Sequence, residues 1–78
     1  MVRLPAVSSR ALIRFLESKG FVVRRTSGSH CILRNERALA RAVVPIHTGD
    51  LPKGTVLAIL RESQLSKSDL AVFLGQSV

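Results

Sequence analysis

The chain has no tryptophan and no tyrosine, and its three phenylalanines, Phe15, Phe21 and Phe73, fall on apolar stripes or at a strand start. Base stacking on exposed aromatics is therefore not expected. Cysteine occurs once, as Cys31. A lone thiol forms no internal disulfide and supplies no thiolate set for zinc, so a reducing, intracellular setting is expected. Acids are scarce, five against twelve lysines and arginines, too few for a two-metal nuclease. A phosphate loop of the Walker type and a histidine-rich zinc pattern are both missing. Long apolar runs are missing too. The longest uncharged stretch, Leu70 to Val78, has nine residues, where a membrane helix takes about 18 or more. Pro5 would interrupt a secretory signal early. The expectation is a soluble, cytoplasmic protein with no metal and no membrane partner.

What is present fits one small fold. The 78 residues (8.5 kDa) are 46% hydrophobic and 22% charged, too apolar for disorder. A chain this short buries only about 60% of its unfolded surface, so a single domain over residues 1–78 with a thin core is expected. The formal charge of +7 and a pI near 11.5 call for a polyanion or an acidic partner, nucleic acid first among them.

Ser8 or Ser9 can cap a first helix, Ser9 to Lys19, whose apolar positions Leu12, Phe15 and Leu16 follow helical spacing and which stops at Gly20. Phe21 to Thr26 reads as a strand, Ser27-Gly28-Ser29 as a tight connection, and His30 to Arg34 as a second strand. Asn35-Glu36-Arg37 turns the chain into a third strand, Arg41 to Ile46, which Pro45 marks as an edge or terminates. Asp50 can cap a second helix from about Pro52 to Ser63. Ser66-Lys67-Ser68-Asp69 has the form of a capping box and opens a short third helix that ends near Gly75. The order helix, three antiparallel strands, helix, short helix is an α+β arrangement with the helices on one face of the sheet. Alternation along the second strand then leaves His30 and Arg34 together on the open face.

Two histidines are the side chains best suited to proton transfer near neutrality. Taken alone, His30 after Gly28-Ser29 also fits ordinary surface architecture, and His47 in Pro45-Ile46-His47 fits a residue that leaves an edge strand to cap the Asp50 helix region or to face water. Arg24, Arg25, Arg34, Arg37 and Arg41 crowd the strands with only Glu36 among them. Like charges on adjacent strands destabilise a sheet, so an anionic ligand such as a phosphodiester is expected to relieve them. Lys53 at the start of the second helix is a further phosphate candidate, and equally a solvated lysine. Without aromatics, contacts to nucleic acid rest on phosphates and 2′-hydroxyls. RNA also carries its own nucleophile, so a base and cations can suffice for cleavage.

The series Gly20-Phe21, Gly28-Ser29-His30, Pro45-Ile46-His47, Lys53-Gly54-Thr55, Ile59-Leu60 and Leu65-Ser66 resembles the HicA toxin family over most of the chain. The resemblance implies an mRNA interferase of a type II toxin–antitoxin pair. It also implies a fold like the double-stranded RNA-binding domain, a HicB antitoxin that covers the active surface, and no metal or organic cofactor. The histidine of the Gly-Ser-His motif maps onto His30 as the catalytic residue, with Gly28 and Ser29 shaping its approach to mRNA. Arg24, Arg25, Arg34 and Lys53 are the expected RNA contacts. His47 matches a second histidine position, and a role as the second acid or base follows from the need for a general acid beside a general base. The chain departs from the family pattern in Glu62-Ser63-Gln64-Leu65, where a glycine commonly ends the second helix, and in a C-terminal extension through Val78. The alternative reading is a non-catalytic double-stranded RNA-binding module. Such modules usually cluster lysines at the start of the second helix, and here Lys53 stands alone. A basic protein that only binds an acidic partner is a third reading, and it would leave His30 dispensable.

Overall fold

The computed structural model describes residues 4–75, so the expectations for Met1 to Arg3 and Gln76 to Val78 lie outside the described residues. Its elements are α1 (Ser9–Ser18), β1 (Val22–Ser27), β2 (His30–Asn35), β3 (Ala40–Pro45), α2 (Lys53–Glu62) and α3 (Lys67–Phe73). The strands form one antiparallel sheet in the order β1-β2-β3. This is the α+β arrangement that the element order implied, and it is like the double-stranded RNA-binding domain, as the resemblance implied.

Ser8 caps α1 through its hydroxyl, which accepts from the Ala11 amide at 3.1 Å. At the other end Gly20 takes φ +96, the left-handed conformation that suits glycine. The Gly20 and Phe21 amides then close back on the Glu17 and Leu16 carbonyls, a Schellman ending. Phe21 is the last residue of that motif and is buried, which is why β1 starts one residue later than the apolar pattern indicates. Asn35 fastens this corner to the sheet. Its amide nitrogen donates to the Lys19 carbonyl and its oxygen accepts from the Ala38 amide in the β2–β3 turn, both at 3.1 Å.

The helices cover one face of the sheet: α1 packs against β1 and β3, and α2 packs against β3. Leu12, Phe15 and Leu16 of α1, Leu33 of β2, Val44 of β3 and Leu70 of α3 are fully buried in a single cluster with Val56, Ile59 and Leu60 of α2. Phe73 meets Phe15 edge-on at 5.5 Å and so docks α3, while 41% of Phe73 stays exposed. Truncating Phe15 would cost about 3–5 kcal/mol, a large part of the roughly 5–15 kcal/mol that holds a domain together.

Two helix termini differ in instructive ways. The capping box of α3 forms as its sequence indicates: Ser66 and Asp69 bond reciprocally, and those bonds to Ser66 hold the Asp69 carboxyl below its usual pKa. Asp50 does not cap α2. The N-cap is Pro52, which has no side-chain bond to offer, because Asp50 is drawn into a bridge with Ser8 while the Leu51 amide donates to the Val7 carbonyl.

The C-terminus of α2 explains the missing glycine. Gln64 adopts φ +62, and the Gln64 and Leu65 amides bond to the Arg61 and Leu60 carbonyls in the same Schellman pattern as at Gly20. The buried Ser63 hydroxyl donates to the Ile59 carbonyl at 2.6 Å and reinforces the ending. A left-handed conformation costs a non-glycine residue roughly 1–2 kcal/mol, of which glycine's greater unfolded-state entropy offsets part. Gln64→Gly should therefore stabilise the chain by about 0.5–1 kcal/mol, read as a higher urea midpoint at unchanged slope. A lower midpoint would show that the Gln64 side chain contributes more than its backbone costs.

Candidate active site

The face of the sheet opposite the helices is organised by strand register. Directly opposed residues of antiparallel strands share a face, so three rows run across it: Ser27–His30–Pro45, Arg25–Ile32–Val43 and Val22–Arg34–Arg41. The intervening residues of β2, Cys31 and Leu33, are buried on the helix side. His30 and Arg34 thus share the open face, as alternation predicts.

Arg25 reaches that face through an irregularity. The β1–β2 register shifts between Val23 and Arg25, so Arg24 bulges out of the ladder. Strict alternation would put Val23 and Arg25 on the same side. The bulge instead pairs Val23 with buried Leu33 and Arg25 with Ile32 of the open face. Arg24 itself is left exposed at the sheet edge.

Cations dominate this surface. Arg34 and Arg41 are direct cross-strand partners, a like-charge pairing that costs stability. Among the described residues a single ion pair forms, from the Arg34 Nε to Glu36 at 3.1 Å. Arg25, Arg37 and Arg41 have no carboxylate within ion-pair distance there. Strand rise places the Arg25 row about 7 Å and the Arg34–Arg41 row about 13 Å from the His30 row. The cations are therefore stepped along the strand direction from the histidine.

His30 begins β2 immediately after the two-residue turn Gly28-Ser29, and it is exposed. Its Nδ1 lies 2.9 Å from the Ser29 Oγ, which orients the ring and leaves Nε2 for an incoming group. The turn itself is held by the Ser29 carbonyl, which accepts from the Ile46 amide at 2.7 Å. Gly28 needs no glycine for the sake of the fold. Its φ lies outside the left-handed region, and a Cβ there would meet nothing within 4 Å. The missing side chain leaves open space beside His30.

His47 and Lys53 stand elsewhere. Ile46 and His47 line a groove of about 510 Å³ against α1, with Arg10, Ile13 and Arg14 on its helical wall. Arg10 and Arg14 are not among the residues that sequence motifs point to, although their spacing of four on a capped helix is a legible signal for one shared face. His47 does not cap α2. Its Nδ1 lies 2.8 Å from the Thr48 carbonyl, and a carbonyl only accepts, so Nδ1 donates this bond and Nε2 takes no part in it. Lys53 begins α2 beside Leu51 and Val56 in the helical layer, so it does not join the His30 face. Among the described residues no three His, Cys, Asp or Glu side chains converge as a metal site, and no helix is long and apolar enough to cross a membrane.

A family model described as HicA toxin of bacterial toxin–antitoxin matches residues 9–65 of the 78. The chain belongs to the HicA toxin family. The match runs from the first residue of α1 to the Schellman ending of α2 and takes in the whole sheet. Membership makes the chain a toxin of a toxin–antitoxin system, in a family whose toxins are generally of the ribonuclease type. No curated protein matches it.

The space at Gly28 carries a direct test. For a HicA chain built this way, Gly28→Ala should leave the folded state intact and raise its stability by as much as about 0.4–1 kcal/mol through the unfolded chain. Urea denaturation measures this, and a clear loss of stability would mean that the turn depends on glycine after all.

Proposed function

We propose that this HicA-family toxin cleaves mRNA, with His30 as the proton-transfer residue and the stepped arginines of the open face as the phosphate-binding track. The observation that carries the reading is the exposed His30 ring, oriented by Ser29 at 2.9 Å on a face whose rows hold Arg25, Arg34 and Arg41.

In this mechanism His30 removes the proton from a ribose 2′-hydroxyl as that oxygen attacks the adjacent phosphorus. The bond from phosphorus to the 5′-oxygen of the next nucleotide breaks, which gives a 2′,3′-cyclic phosphate and, once that oxygen is protonated, a 5′-hydroxyl. Negative charge builds on the phosphoryl oxygens, where the guanidinium groups of Arg25 and its neighbours stabilise it. Arg24, at the bulge, extends the same positive surface. Gly28 admits the sugar-phosphate backbone close to the ring. His47 is set apart from His30 by its place in the α1 groove, so its part as a second acid or base requires RNA that spans both surfaces.

The partner in this reading is a HicB-type antitoxin that covers the open face. A carboxylate-rich surface would neutralise Arg25, Arg34 and Arg41 and occlude His30 in one step. Its toxic action belongs to the cytoplasm, where mRNA is met. A non-catalytic double-stranded RNA-binding module would use lysines at the start of α2 to bridge the major groove, and the solitary Lys53 gives that reading little support.

The test is expression of His30→Ala beside the wild type without antitoxin. His30 is exposed at a strand end, so its replacement should alter stability by no more than about 0.5 kcal/mol. Growth arrest should disappear while the folded protein accumulates. Continued arrest by a folded variant would remove His30 from the mechanism.

A further inference from the structure

Apart from His47, the residues of the groove beside α1 have no part in the mechanism above, and the groove has the make-up of a small-molecule site. At about 510 Å³ it lies within the roughly 300–1,000 Å³ typical of such sites. It is an open groove of that volume between α1 and the end of β3, room enough for a single nucleotide. We infer that it is a nucleotide subsite, which receives a base of the RNA next to the cleaved bond. The inference rests on the ribonuclease reading only for the identity of the RNA as substrate.

Three observations carry it. The first is position: Ile46 lines the groove, and its amide donates at 2.7 Å to the carbonyl of Ser29, the residue that orients His30. A strand lying across the His30 row therefore meets the groove at the next element. The second is chemistry. Ile13 and Ile46 offer apolar walls, Ile46 being 38% exposed, while Arg10 and Arg14 present guanidinium groups from successive turns of α1. Glu17 and Asp50 stand at the same groove, and among the described residues neither lies within ion-pair distance of an arginine. Donors for a phosphate, acceptors for the amino edge of a base and apolar faces for its plane are thus assembled in one cavity. An inorganic anion would need only the arginines.

The third observation is the orientation of His47. The Thr48 carbonyl accepts from its Nδ1 at 2.8 Å, which leaves Nε2 to meet a ribose hydroxyl or a base edge. The groove thereby supplies base discrimination to a chain that has no exposed tryptophan or tyrosine to stack on. Selectivity in this subsite would come from hydrogen bonding to a base edge.

The experiment is a titration of the full-length, isotope-labelled chain with each of the four nucleoside 5′-monophosphates and with inorganic phosphate, followed by amide NMR. The amides of Ile13, Arg14, Ile46 and His47 should shift and saturate, with at least one base bound several-fold tighter than another. Arg10→Gln combined with Arg14→Gln should weaken binding roughly tenfold, the loss expected for two exposed charge-assisted contacts. Both residues are exposed, and the spectrum of the variant reports directly on its fold. Equal shifts from inorganic phosphate, equal affinity for all four bases, shifts confined to the open sheet face, or no shifts at all would each overturn the subsite. A double variant that binds nucleotides normally but loses its antitoxin would overturn it in favour of a protein contact. Cleavage of RNA by the wild type is scored separately, so loss of the subsite and loss of the ribonuclease reading remain distinct outcomes.

Discussion

The Ser9 hydroxyl joins the parts of this fold that the proposed function needs. Almost wholly buried at the start of α1, it donates to the Pro45 carbonyl at 2.6 Å and accepts from the His47 amide at 3.4 Å. Between those two residues, the Ile46 amide reaches back to Ser29. One short segment, Pro45 to His47, therefore fixes the N-terminus of α1, the end of β3 and the turn that carries His30. Pro45 serves this arrangement well. It has no amide to offer the ladder at the end of an edge strand, yet its carbonyl is the acceptor that the helix needs.

With the helices fastened to one face, the other face is left without a cover. Its charges are poorly arranged for stability: Arg34 opposes Arg41, and a single glutamate answers one of them. Local conflicts that a fold retains tend to coincide with surfaces it uses. The bulge at Arg24 belongs to the same pattern, since it gives up a regular ladder and so turns Arg25 toward His30's side. Both features lower the stability of the isolated chain and raise its attraction for an anion.

Much of this was legible in the sequence because it depends on short-range rules. The Ser66–Asp69 capping box, the glycine stop at Gly20 and the alternation of β2 each involve a few neighbouring residues, and each formed. The misses came from contacts distant in sequence. Asp50 has the type and place of a helix cap, but the segment at Ser8 passes beside it and bridges to it instead. The Arg24 bulge has no glycine to announce it, and Gln64 fills a position where glycine would have been the plain signal. The groove joining Arg10 and Arg14 to His47 exists only because Ser9 brings α1 to the end of β3. Lys53 is an expected RNA contact together with Arg24, Arg25 and Arg34, and the start of α2 holds it in the other layer.

The central claim is that His30 performs proton transfer on RNA at the open face of the sheet. The most direct measurement is incubation of a labelled single-stranded RNA with purified wild type and His30→Ala, both in EDTA, with analysis of the product ends. The account predicts cleavage by the wild type alone, leaving 2′,3′-cyclic phosphate ends. Equal cleavage by both proteins, or RNA binding without cleavage by a folded, antitoxin-free wild type, would contradict it.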